Sequence, residues 1–268
     1  MKPTTRWMQI VLLSLLCACG GGSDSTENNR SHQTIDLNSG IMQDSYPLTV
    51  ILPEDYANQV MPLPVILVLD GRWHQERVAD EVAATGTAAI VVGIGNDERR
   101  EPDFVPPDFH GSLGLTDGLA DDYVDMPRNE ILPTLEQRYN INPEQRYIVG
   151  HSLGGLLVEY ALLTDNPDDP DDPTFRGYFM SDSSNFSADY LQQLEANFYQ
   201  HTTRLPVAIY CASATTGNNQ IAQLVARQME QHSYPELRMT IHSYETDHNG
   251  VMAPAVRDGM RFFFPPTL

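Results

Sequence analysis

The chain of 268 residues holds a single lysine, Lys2, at its second position. Beyond residue 2 there is no amine for a Schiff base, no P-loop lysine and no Ser–Lys dyad. Positive charge of any kind is scarce. Lys and Arg number 16 against 36 Asp and Glu, for a formal net charge of −20. So acidic a surface repels phosphate backbones and anionic headgroups, and no nucleic-acid partner is expected. Cysteine is scarce as well, with only Cys17, Cys19 and Cys211. Long apolar runs are missing too: Ile10 to Leu16, near the start, is too short for a permanent membrane span.

What is present at the amino end reads as a bacterial export signal. Lys2 and Arg6 precede the short apolar run, and "LCAC" places a small residue before Cys19 in the manner of a lipobox. The expectation is a signal peptide over 1–18, lipid attachment at Cys19 and a flexible tether over 19–33, leading to one domain over 34–268. The bacterial cell envelope would then be the location, with Gly20 after the cysteine pointing to the outer membrane facing the periplasm. The lipid would be the only membrane contact. Cleavage would discard Cys17 and leave Cys211 as the sole thiol of the domain, which excludes a disulfide within it. Cys211 lies in the apolar run "PVAIYCAS" and reads as a buried strand residue.

From about residue 34 the pattern alternates between strands and helices. "TIDL" and "YPLTVIL" read as an antiparallel pair, and "PLPVILVLD" (62–70) and "TAAIVVGIG" (87–95) as strands buried on both faces. A helix is expected at about 74–85, and another over 119–139 despite Pro127 and Pro133. "RYIVG", "RGYFMSD" (176–182), "PVAIYCAS" (206–213) and "LRMTIHSYE" (237–245) read as further strands, with helices at about 153–164 and 253–263. The fold class is α/β, a mostly parallel sheet with helices on both faces. Ligands of such sheets bind beyond the carboxyl ends of the strands.

At one of those ends stands "GHSLGG" (150–155). Either Ser152 caps a glycine-rich turn, or it is a nucleophile on a strained strand-to-helix elbow. A serine hydroxyl needs a base. His248, in "ETDHNGV" after the last strand and before the last helix, is the histidine so placed. His242 lies inside that strand, His151 is expected to diverge from its neighbour Ser152, and His32, His74, His110, His201 and His232 read as solvated or packing residues. An oxyanion would need two backbone donors: the N–H of Leu153, and the N–H of Arg72 or Trp73 in "DGRWH", with Gly71 permitting close approach. The acidic stretch "DNPDDPDDP" (165–173) lacks the glycine and distal glutamate of an EF-hand and reads as a solvated turn; neither metal nor cofactor is expected.

Taken together, "PVILVLDGRW", "VVGIGNDERREPDFVPP", "EILPTLEQRYNINPEQRYIVGHSLGGLLVEYALL" and "DHNGVMAPAVRDGMRFFF" resemble the putative-esterase family of α/β hydrolases, which includes the ferric-enterobactin esterase-like and esterase D-like enzymes. The resemblance implies the α/β-hydrolase fold, Ser152 as nucleophile and His248 as base. It also implies that the "NDERREPDF" loop, with Arg99, Arg100 and Asp103, helps line or brace the site, against the alternative that the arginines merely pair with surface acids; Trp73 in "DGRW" is a further candidate to bind substrate. The chain departs from the family where relatives carry an acid after the strand matching "PVAIYCAS": here the turn is "ATTGNN". Three arrangements stay open: a Ser–His dyad oriented by a backbone carbonyl or Thr216, Asp182 supplying the acid from the neighbouring strand end, or help from Asp247 or Glu245.

The function implied is hydrolysis of a carboxylic ester, a small-molecule substrate, through an acyl-Ser152 intermediate, on short-chain, aryl or feruloyl-type esters. The rivals are a siderophore trilactone esterase or an acyltransferase on the same scaffold, and a non-catalytic binding lipoprotein. The oligomeric state is not legible.

Overall fold

The computed structural model describes residues 30–95, 99–107, 118–164, 169, 171–186 and 188–265. The expected signal peptide, the lipidation site Cys19, most of the tether, His110, Asp165 and Asp168 lie outside the described residues.

Eight strands form one sheet: β1 (His32–Ser39), β2 (Asp44–Ile51), β3 (Leu63–Val68), β4 (Ile90–Ile94), β5 (Ile141–His151), β6 (Gly177–Ser181), β7 (Ala208–Thr216) and β8 (Arg238–Asp247), in the order β1-β2-β4-β3-β5-β6-β7-β8. β1 pairs antiparallel with β2, and β2 antiparallel with β4; every pairing from β4 through β3 to β8 is parallel. His32 and Gln33, expected in the tether, pair with Ile51 and Val50, so folded structure begins earlier than the tether boundary at 33.

The central strands are apolar without interruption because both faces are covered. In β3, Val65 and Leu67 join one core cluster while Ile66 and Val68 join the other. The smaller cluster is closed by α1 (Gly71–Ala84), through Val78 and Val82, and by α8 (Met252–Phe263), through Val256, Met260 and Phe263. The larger lies under α2 (Arg100–Phe104), α3 (Ala120–Met126), α4 (Leu132–Glu136), α5 (Leu153–Thr164), α6 (Ala188–His201) and α7 (Leu224–His232). Burying these large side chains, at about 1.5–3 kcal/mol apiece, is what holds the sheet between its helices.

The helical stretch expected at 119–139 is α3 and α4 joined by a π segment, Pro127–Ile131. Pro127 and Pro133 offer no N–H to the helix ladder, and the wider π turn carries the chain past the first of them. α1 starts at Gly71, three residues before the expected start. Its first turn faces β4 so closely that a Cβ on Gly71 would lie 2.5 Å from Gly93 Cα. The glycine is thus needed for helix-against-strand packing rather than for admitting a ligand. α5 is buried from Leu153 to Leu163, as expected for a helix apolar on all sides and covered by its neighbours.

Candidate active site

Three neighbouring parallel strands, β3, β5 and β6, each end in a residue with a left-handed backbone: Asp70 (φ 52°), Ser152 (φ 60°) and Asp182 (φ 45°). None is glycine, and each such residue costs about 1–3 kcal/mol that the surrounding packing must offset. At Ser152 the sharp turn depends on its flanking glycines. A Cβ on Gly150 would meet the Gly154 carbonyl oxygen at 2.1 Å, and one on Gly155 would meet Ser183 Oγ at 2.6 Å. The elbow is tied down by Ser152 N–H donating to Ser181 O at 2.9 Å, and by Ser184 N–H and Leu156 N–H donating to Ser152 O at 3.0 and 3.1 Å.

β6 and the loop after β8 bring Asp182 and His248 together. His248 Nδ1 donates to Asp182 Oδ2 at 2.6 Å. Asp182 is fully buried, and its carboxylate also accepts from Ala214 N–H at 2.8 Å and Asn218 N–H at 3.0 Å. Burial alone would raise its pKa; the bonds from His248, Ala214 and Asn218 outweigh burial and hold the carboxyl below its usual value. Asp182 is therefore a carboxylate at neutral pH, and its bond to Nδ1 orients the His248 ring in the cleft. Ser152 and His248 line the same cleft. Ser152 Oγ itself contacts Ser184 Oγ, at 3.1 Å.

The other arrangements for orienting His248 are not formed. Thr216 Oγ1 donates to Thr246 O at 2.9 Å, Asp247 Oδ1 accepts from Gly250 N–H at 2.7 Å, and Glu245 Oε2 takes a long 3.4 Å bond from Thr215.

The cleft has two recesses that share Ser152, His248 and Arg100. One, of about 340 Å³, is lined further by Leu153, Ser184, Phe186 and Asn218; the other, of about 330 Å³, by Trp73, His74, His151 and Asn249. Trp73 and Phe186 are 56 % and 42 % exposed, so each end of the cleft carries an aromatic ring open to a ligand. A third recess, of about 250 Å³, opens at the far end of the sheet beside the start of β4 and holds no nucleophile.

Arg99 and Arg100 part company. Arg100 reaches into the cleft, its Nε donating to buried Asp70 at 2.8 Å and Nη2 to the His151 carbonyl at 3.2 Å. Arg99 does not line the cleft: it pairs with Asp44 and with buried Asp103, both at 3.3 Å, and braces α2 against β2. Of the two expected roles, lining or bracing, the structure gives Arg99 the bracing one, at the position just ahead of α2.

Leu153 is the first residue of α5 and Arg72 the second of α1, so both backbone N–H groups sit at helix N-termini facing the carboxyl edge of the sheet. Trp73 N–H is already engaged by Asp70 O at 2.9 Å, which removes it as an oxyanion donor. His151 packs its ring 4.6 Å from that of His248 and 5.6 Å from that of His74. Burial first, then the neighbouring His248 and His74, lowers its pKa to about 3, and burial first, then Arg100 and Arg77, lowers His74 to about 4. Both rings are neutral walls. Of the other histidines, His32 meets Glu76 at 3.0 Å, His201 caps Asn197 O at 2.8 Å, and His232 meets Glu195 at 2.9 Å. Cys211 is buried as expected, and burial pushes its thiol pKa up.

In the acidic stretch, Asp171 accepts from Thr203 N–H at 2.7 Å and Arg204 N–H at 3.1 Å, and Asp172 pairs with Arg176 at 3.0 Å. These described carboxylates brace loops.

The Esterase family model, described as putative esterase, matches residues 39–169, which contain Asp70, the "DGRW" turn and the elbow. Over those residues the chain is similar to that family. Among curated proteins it is 30 % identical to a siderophore triacetylfusarinine C esterase of Aspergillus fumigatus, over 46 % of this chain and 46 % of that one. It is 26 % identical to an apo-salmochelin esterase of Escherichia coli O6:H1, over 58 % of this chain and 53 % of that one. The alignments thus span about half the length of these curated relatives. Among solved structures, an IroE-like serine hydrolase from Shewanella oneidensis superposes with a TM-score of 0.76 at 24 % identity, covering 87 % of this chain and 80 % of that one. The siderophore hydrolase EstA from Aspergillus nidulans superposes with a TM-score of 0.73 at 15 % identity, covering 95 % and 100 %. At such identities the structural likeness establishes the α/β-hydrolase fold.

The residues that sequence reasoning missed cluster around the acid. Ser184, Phe186 and Asn218 line the cleft or tie Asp182, and their only trace in the chain is the run "SDSSNF" directly after β6 and the "TGNN" turn after β7.

Proposed function

We propose that the chain is a serine carboxylic-ester hydrolase in which Ser152 attacks, His248 moves the proton and Asp182 orients His248. The observation that carries this reading is the 2.6 Å Asp182–His248 bond in a cleft that the strained Ser152 elbow enters. In the proposed cycle His248 Nε2 takes the Ser152 proton as Oγ attacks the ester carbonyl, and the N–H groups of Leu153 and Arg72 face the developing oxyanion. His248 then protonates the leaving alcohol, and Asp182 stabilises the imidazolium without itself taking the proton. A water activated by His248 releases the acid. No metal or cofactor takes part in this scheme.

For the substrate we favour a bulky ester of the siderophore type over the short-chain, aryl or feruloyl esters suggested by sequence. Two relatives act on siderophore esters by name. The two-recess cleft, with Trp73 and Phe186 at its ends and the Arg100 cation between, suits a ligand extending to both sides of the scissile bond. The test is p-nitrophenyl acetate and butyrate hydrolysis, run beside a fusarinine-type ester, a catecholate trilactone and methyl ferulate. A kcat/KM for a siderophore ester at least tenfold above that for methyl ferulate supports the reading; the reverse order restores the feruloyl class. Absence of both ester turnover and fluorophosphonate labelling at Ser152 would refute the serine mechanism. Attachment to the envelope through Cys19 stays part of the proposal, and loss of palmitate labelling in Cys19→Ala is its check.

A further inference from the structure

Ser184 lies beside the nucleophile, and its surroundings dictate which way its hydroxyl points. It is buried, 4 % exposed, so water is not its ordinary partner. Among the described residues its Oγ has two hydrogen-bonding neighbours: Ser152 Oγ at 3.1 Å and Asn218 Nδ2 at 3.5 Å. The orientation of the Asn218 amide is settled by its other bonds, to Asp182 O at 2.8 Å and Ser183 O at 3.1 Å, which only a nitrogen can make. An amide nitrogen accepts nothing. Among the described residues the Ser184 proton is thus left with one protein acceptor, Ser152 Oγ, and Ser152 then gives its own proton elsewhere, with His248 the base in the cleft.

We propose that Ser184 is a further catalytic residue, a hydroxyl donor to Ser152 Oγ that assists release of the acyl group from the enzyme. The inference rests on the serine mechanism above. The two halves of that mechanism load Oγ differently. During acylation Oγ gives up electron density to the new C–O bond, so a donor to it contributes little. During deacylation a water oxygen bonds to the acyl carbon while its proton passes to His248 Nε2. The bond from carbon to Oγ then breaks, the electron pair stays on Oγ, and the proton returns from His248 to it. Oγ carries growing negative charge until that proton arrives, and the Ser184 O–H is already aimed at it. The Ser184 N–H, donating to Ser152 O at 3.0 Å, keeps the two residues in register throughout.

The experiment is stopped-flow hydrolysis of p-nitrophenyl acetate by the full chain and by Ser184→Ala, Ser184→Cys and Ser184→Thr, with mass spectrometry of acid-quenched enzyme. Ser184→Ala is expected to lower kcat and KM together by about tenfold, leaving kcat/KM within about twofold. It should also show a burst near one equivalent and an acetyl group on Ser152. Ser184→Cys keeps the shape with a much weaker donor and should behave alike; Ser184→Thr keeps the hydroxyl and should restore turnover without a burst. A fall in kcat/KM equal to the fall in kcat, with no acyl-enzyme, overturns the proposal while leaving the serine mechanism intact. Wild-type chain that fluorophosphonate leaves unlabelled overturns both.

Discussion

His248 Nδ1 lies 2.6 Å from Asp182 Oδ2, although the two residues stand 66 apart in the chain and leave the sheet from different strands. Asp182 follows β6, whereas the family pattern puts the acid after β7. The turn after β7 contributes Ala214 N–H and Asn218 N–H to the same carboxylate. The carboxylate that meets His248 thus stands after β6 and is held there by hydrogen bonds from the turn after β7.

If Asp182 orients the base, Asp182→Asn lowers kcat by on the order of 10⁴, because the amide permits the wrong His248 tautomer. Asn218→Ala, which removes the side-chain bonds to the 182–183 carbonyls but keeps the N–H to Asp182, should cost far less. Steady-state kinetics on p-nitrophenyl butyrate, with circular dichroism to check folding, decides. Turnover unchanged in Asp182→Asn would point to a dyad.

Ser152→Ala and His248→Ala should each reduce turnover by at least about 10⁴-fold, and the double variant should be little worse than either. Fluorophosphonate should label wild-type chain at Ser152 and leave Ser152→Ala untouched. Losses that simply multiply would mean that the two residues do not act in one step.

Arg100 joins structure to site, with its guanidinium on buried Asp70 at 2.8 Å. Arg100→Gln removes one partner of a buried carboxylate at a cost of about 3 kcal/mol, roughly 6–12 °C in Tm for a chain of this size. Asp70→Asn in the same chain should recover much of that loss. If Arg100 also meets substrate, KM for an anionic ester should rise in the double variant as well, while KM for p-nitrophenyl acetate should not.

Glu159 is buried inside α5, with Asn185 Nδ2 donating to it at 2.7 Å. Burial raises its pKa from 4.5 to about 8, against the smaller opposing effect of the Asn185 bond. The folded protein therefore keeps this proton to about pH 8, while the unfolded chain releases it near 4.5. In that window the unfolded state binds fewer protons, so the contribution of Glu159 turns against folding as pH rises, and levels off above about 8. Glu159→Gln does not titrate. Its Tm advantage over wild type should be small at pH 4.5 and widen steadily to pH 8; a constant difference would contradict a buried neutral acid.

The sheet was legible in the chain because burial on both faces forces unbroken runs such as "PVILVLD" and "YIVGH", and the helices between them carry the covering faces. Boundaries slipped where tertiary contacts ruled. α1 begins at Gly71 because β4 approaches it, and β1 extends back to His32 because β2 is there to pair with. Ser152 was legible from the glycines its left-handed turn demands, and His248 from its place between the last strand and the last helix.

The acid and its surroundings were not. Asp182 in "SDSSN" was marked by its place at a strand end as one of several candidates, and what selects it among them is a hydrogen-bonding distance to a residue 66 positions away. The two arginines in "NDERRE" are equivalent in sequence and opposite in the structure: one faces the cleft and one braces a helix. By itself, the sequence determined the fold and pointed to Ser152 and His248 as the candidate nucleophile and base, because each has a signature in local pattern: periodicity, turn glycines, position after a strand. The tertiary structure alone decided which carboxylate meets His248, that Ser184 stands beside Ser152, and which arginine lines the cleft. Those depend on distances of about 3 Å between distant strand ends, over which electrostatic and hydrogen-bond energies rise or vanish.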